Sequence, residues 1–124
     1  MILRDVVSSW RQKPFERGVT DCCAFVNYVL EKMHGEARLP FYRDDYQEIL
    51  DRHGDLSRAV THYAERPYID DPEKLKPGDV VLIEIYNEQT IGILMENEKV
   101  AVVFEGHGLR LINDAFVDGG WSWA

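Results

Sequence analysis

At 124 residues the chain has room for a single domain with a real core. A hydrophobic fraction of 45% and a charged fraction of 29% are those of an ordinary folded soluble chain. A formal net charge of −8 without a basic patch would repel a phosphate backbone, so nucleic acid is a poor partner, and no stretch approaches the roughly 20 apolar residues of a membrane span.

Taken in chain order, Ile2, Leu3, Val6, Val7 and Trp10 recur at helical spacing and predict a first helix over residues 2–12, ending before Pro14. Thr20 or Asp21 can cap a second helix. Cys22, Phe25, Val26, Val29 and Met33 lie along one stripe of it, and Gly35 stops it. A third helix is expected to start at Asp44 or Asp45 and run through Tyr46, Ile49 and Leu50 to Gly54. A fourth follows from Asp55 through Leu56, Ala59, Val60 and Tyr63, and stops before Pro67.

From Lys76 the pattern changes to β-branched runs broken by turns. Pro77-Gly78-Asp79 leads into residues 80–85, and further strands follow over 90–95, 100–104 and 109–112. The expected fold is therefore α+β: one domain over residues 1–124, helical over 1–66, with an antiparallel β-meander over 76–124.

The chemistry of the chain centres on Thr20-Asp21-Cys22-Cys23. A cysteine at a helix start feels the positive end of the dipole and borders backbone N–H groups without helical acceptors, and both favour the nucleophilic thiolate. The two cysteines are the only ones and are neighbours, so they close no useful loop and build no disulfide framework. Neither a CxxC pair nor a Cys/His cluster with zinc spacing is present, and no metal or cofactor is expected. Asp21 reads first as a helix cap, worth about 1 kcal/mol. The acidic run from Asp70 to Glu73 lacks calcium-loop spacing and reads as a solvated connector.

Gly18-Val19-Thr20-Asp21-Cys22, then Pro77-Gly78-Asp79-Val80-Val81, then Thr90-Ile91-Gly92-Ile93 resemble, in that order, the motifs of the NlpC-type cell-wall peptidases, a papain-like branch of cysteine hydrolases. Trp10, Pro14, Phe15, Gly18, Asp21, Cys22 and Cys23 stand in the order seen in a phage-tail branch of that group. The resemblance implies a papain-like fold and Cys22, the residue after the Asp, as nucleophile. The backbone N–H groups of Cys22 and Cys23 would hold the oxyanion. It also implies a location in the virion tail after synthesis in the host cytoplasm without a signal peptide. Other tail-tip proteins, and peptidoglycan, would be the partners.

One position departs from the family pattern. The strand that should open with the catalytic histidine opens with Thr90, and a threonine cannot take the thiol proton at neutral pH. His107, between Gly106 and Gly108 with Glu105 to orient it, is a substitute base, although a histidine in such a setting is commonly a solvated hairpin residue. His34 and His53 sit at helix ends beside glycines and His62 reads as a surface residue, none of them a metal ligand. Trp121 and Trp123 either complete the core or anchor a partner.

The leading expectation is a phage tail-tip or tail-assembly structural protein on an NlpC-like fold with impaired or no catalysis. An active hydrolase cutting a stem-peptide amide of peptidoglycan through Cys22 is the alternative. An acidic adaptor, supported by charge alone, is the third.

Overall fold

The computed structural model describes residues 2–10, 22–35, 39, 46–85, 87–104 and 106–123. Among the described residues four helices come first: α1 (Leu3–Ser8), α2 (Cys22–His34), α3 (Tyr46–His53) and α4 (Leu56–Ala64). Five strands follow: β1 (Val80–Ile85), β2 (Glu88–Leu94), β3 (Lys99–Phe104), β4 (Gly108–Asn113) and β5 (Val117–Trp121). They form one antiparallel sheet in the order β4-β3-β2-β1-β5. Helices preceding a meander are what the change of periodicity near Pro67 predicts, and the α+β class holds. The first helix is shorter than 2–12, and the expected start of the third, at Asp44 or Asp45, lies outside the described residues, as do Thr20 and Asp21.

Strand alternation divides the sheet residues between two dry faces. Val80, Leu82, Ile91, Ile93, Ala101, Val103 and Leu109 join the main core with α2 and α4. Val81, Ile83, Val100, Val102 and Val117 form a second, smaller core with Leu75 on the other side. Burial on both faces explains why β1 begins with four consecutive aliphatic residues rather than an alternating pattern. On the helix side, Phe25, Val26, Val29 and Leu30 of α2 are almost completely buried. Such side chains contribute about 1.5–3 kcal/mol each.

Side-chain caps and clamps position the helices. Asp55 caps α4 by accepting from Arg58 N (2.9 Å), and Ser57 Oγ donates to the same oxygen. Asn27, buried on α2, holds the chain beyond that helix at both of its amide atoms. Leu39 N donates to its Oδ1 at 2.9 Å, and its Nδ2 donates to Leu39 O.

The fifth strand is a correction to the four-strand meander. Val117-Asp118-Gly119-Gly120-Trp121 has low intrinsic β-propensity, yet tertiary packing requires its glycines. A Cβ on Gly119 would stand 2.4 Å from Ile69 O, and one on Gly120 2.3 Å from Val80 O. The strand pairs with β1, Trp121 opposite Val80, and receives Ile69 on its other side.

Trp121 and Trp123, expected either to complete the core or to anchor a partner, are core residues, 0% and 8% exposed. Trp121 Nε1 donates to Thr61 Oγ1 of α4 at 3.0 Å, and Tyr68 meets its ring edge-on. The Arg66 guanidinium lies 4.3 Å from the Trp123 ring centre, and its Nη1 donates to Ser122 O. Both indoles are thus engaged within the chain.

Asp79, 1% exposed, joins the end of the chain to the start of the sheet. Its two oxygens accept from Lys76 N (2.8 Å) and Trp123 N (2.7 Å). Gly78, at φ 98, makes the turn before it and donates to Leu94 O. The Pro-Gly-Asp element is thus a turn plus a carboxylate clasp, structural in its chemistry.

Replacing Asp79 by Ala leaves two backbone donors without their acceptor, one of them buried. Urea unfolding is expected to show a loss of about 2–4 kcal/mol, with Asp79→Asn recovering part of it. Asp55→Ala should cost about 1 kcal/mol as a lost cap. The Arg58 backbone N–H holds the Asp55 carboxyl below its ordinary 3.8, with help from Ser57 against the opposing effect of burial. A depressed folded-state value makes this stabilisation complete above the unfolded-state value and lost as pH falls through the folded one. Stability curves of wild type and Asp55→Ala should therefore converge as the pH is taken below 4 and stay apart at pH 7.

Candidate active site

Cys22 is the first helical residue of α2 and Cys23 the second, so their N–H groups lie in the turn for which the helix itself supplies no acceptors. Neither cysteine is in a disulfide, and their sulfurs lie 4.0 Å apart. Cys22 is 8% exposed and Cys23 fully buried, and both belong to the main core with Phe25, Val26 and Val29. That stripe packs against β2 and β3, where the sheet presents Ile91, Ile93, Ala101 and Val103.

A helix start alone favours the thiolate by about 0.3–1 kcal/mol, less than one unit of pH. Activation of a cysteine nucleophile at neutral pH therefore depends on a base within hydrogen-bond reach.

Thr90 does not join the sulfur's cluster. It pairs with Ile83 across the strands, and alternation places it on the face of Gly92 and Leu94. That face is the second core: a Cβ on Gly92 would meet the side chains of Val100 and Val102. The residues of β2 turned toward α2 are Ile91 and Ile93 on either side of Gly92.

All four histidines of the chain are among the described residues. His107 is exposed in the turn between β3 and β4, its N–H bonded to Phe104 O at 3.1 Å. Antiparallel pairing puts this turn at the end of the sheet where β2 begins. Glu105, expected to orient it, lies outside the described residues. His34 ends α2, twelve residues beyond Cys22, or ~18 Å along the axis. His53 and His62 stack on each other between α3 and α4 with Tyr63 beside both, a grouping that their separate readings as helix-end and surface residues missed.

Asp70 and Asp71 lie in the connector before β1, where Asp71 caps a short 3₁₀ turn over Pro72–Lys74. Among the described residues no three of His, Cys, Asp and Glu converge as metal ligands, and no helix is long and apolar enough to cross a membrane.

The architecture has a counterpart among solved structures. The chain is similar to the crystal structure of the NlpC/p60 domain of the peptidoglycan hydrolase SagA, with a TM-score of 0.65 at 14% identity, over 98% of this chain and 96% of that one. At such identity the likeness establishes the fold: helices followed by a five-stranded antiparallel sheet, as in NlpC/p60 domains. Among curated proteins none matches the chain. A family model described as a domain of unknown function matches residues 2–122, and the chain accordingly belongs to that family, DUF6950.

Proposed function

We propose that this protein is a phage tail-tip or tail-assembly component built on the NlpC/p60 fold, with catalysis impaired or lost. The observation that carries the non-catalytic part is the setting of Cys22. Cys22 lies in a hydrophobic cluster with Phe25, Val26 and Val29, the β2 position where the family carries its histidine is Thr90, turned toward the second core, and His53 and His62 pair with each other between α3 and α4. Base loss of this kind costs a cysteine hydrolase several orders of magnitude in rate. The phage-tail part is supported by the order of Trp10, Pro14, Phe15, Gly18, Asp21, Cys22 and Cys23, which resembles tail-associated members of the NlpC group.

With Trp121 and Trp123 buried, a tail partner would meet the acidic exterior instead, which includes Asp70, Glu73 and Asp118. The alternative, a tail-associated peptidoglycan hydrolase acting through Cys22, draws support from the retained cysteine at the helix start. It also draws on the placement of the His107 turn at the end of the sheet where β2 begins.

Purified protein incubated with isolated peptidoglycan is expected to release no soluble stem-peptide fragments above a buffer control. Release that disappears in Cys22→Ser would establish the hydrolase instead. For the assembly role, the chain should be found in purified tails. Particles carrying Cys22→Ser should infect as wild type does, and particles without the chain should fail to complete their tails.

The state of the thiol gives a second readout. Iodoacetamide at pH 7 should leave both cysteines unmodified in the folded protein and label both after unfolding in urea. Rapid labelling of Cys22 alone, well below pH 8, would mean that a base is at hand after all.

A further inference from the structure

The α3–α4 hairpin, joined through Gly54 and Asp55, brings together two imidazoles nine positions apart in sequence. The His53 and His62 ring centres are 4.7 Å apart with planes inclined at 33°. Tyr63 meets both rings near-perpendicularly, at 5.4 and 5.0 Å. His53 Nε2 is shut off from water and has no hydrogen-bond partner among the described residues. Leaving a buried polar atom of this kind unpaired is unfavourable. An imidazole nitrogen has one other common partner besides a hydrogen-bonding group, a borderline divalent metal ion.

The spacing suits that partner. Two imidazoles on one ion, each at about 2.0–2.1 Å from nitrogen to metal, hold their ring centres about 5 Å apart. His62 is exposed, so an ion can enter from solvent, and its ring can turn to direct a nitrogen inward.

We propose that His53 and His62 form a two-nitrogen site for a borderline divalent transition ion, spanning α3 and α4. With no third protein ligand among the described residues, water completes the coordination shell. The site is therefore open and of modest affinity, and it follows the general preference of nitrogen sites for late first-row ions over Mg²⁺ or Ca²⁺. The bound ion bridges two short helices, and so stabilises the folded state in proportion to its occupancy.

Thermal unfolding of the full chain in a non-chelating buffer, with Zn²⁺ or Ni²⁺ alone as probe, tests the site. The expected result is a saturable rise in Tm of a few degrees that Mg²⁺ does not reproduce. His62→Ala, at an exposed position, should keep the fold and lose the rise. His34→Ala, His107→Ala and Cys22→Ser should retain it. An absent rise in wild type, an undiminished rise in His62→Ala, or a rise abolished by Cys22→Ser would each overturn the proposal, the last by locating the ion on the thiols.

Discussion

Phe25, Val26 and Val29 of α2 press onto Ile91, Ile93, Ala101 and Val103 of β2 and β3, and every other element is arranged around that contact. It brings both cysteines at the helix start into the main core. It also decides which residues of β2 can face the sulfur. With Ile91 and Ile93 committed to the helix, Thr90 and Gly92 must turn to the second core, because neighbouring strand residues point to opposite sides. The setting of Cys22 is thus a consequence of register, and register is held by the pairing of β2 with β1 from Ile85–Glu88 to Val80–Ile93.

The second constraint is chain closure. β5 follows the meander in sequence but lies on the far side of β1, so the end of the chain must return across the sheet. Asp79 accepts from Trp123 N at one oxygen and from Lys76 N at the other, joining the two ends of the β region through one carboxylate. Trp121 then fills the space between β5 and α4, its indole N–H satisfied by Thr61. Tryptophan at a chain end is compatible with either a core or a contact surface by composition. Burial with a satisfied N–H decides for the core here.

The elements with strong local periodicity were legible in the sequence: the α2 stripe, the Asp55 cap of α4 and the β-branched runs of β1 to β4 all match their expected ranges to within two residues. Those that depend on distant partners were not. β5 contains two glycines and an aspartate, and only the close approach of Ile69 O and Val80 O explains why glycine is required there. The stacking of His53 on His62 has no signature along the chain, since nine residues match neither helical nor strand spacing and the contact exists only once α3 and α4 fold against each other. The nucleophile position could be identified by its helix start, whereas the orientation of Thr90 needed the alternation of the folded strand.

A hydrolase of this architecture must accept two local costs. It has to keep its helix start accessible to substrate, and it has to hold a polar imidazole with its own partner on the neighbouring sheet, where burial without hydrogen bonds costs a few kcal/mol. Here Cys23 is fully buried and Cys22 nearly so, in a cluster with Ile91, Ile93, Ala101, Val103 and Trp121 of the sheet. In a domain of this size, whose whole stability is on the order of 10 kcal/mol, costs of a few kcal/mol are substantial. A hydrophobic surround at the cysteines suits tight packing of α2, because each polar group kept out of such an interface avoids a desolvation penalty. A thiol also packs as a small hydrophobe, and the place of Cys22 on the α2 stripe is a packing position whether or not the sulfur reacts.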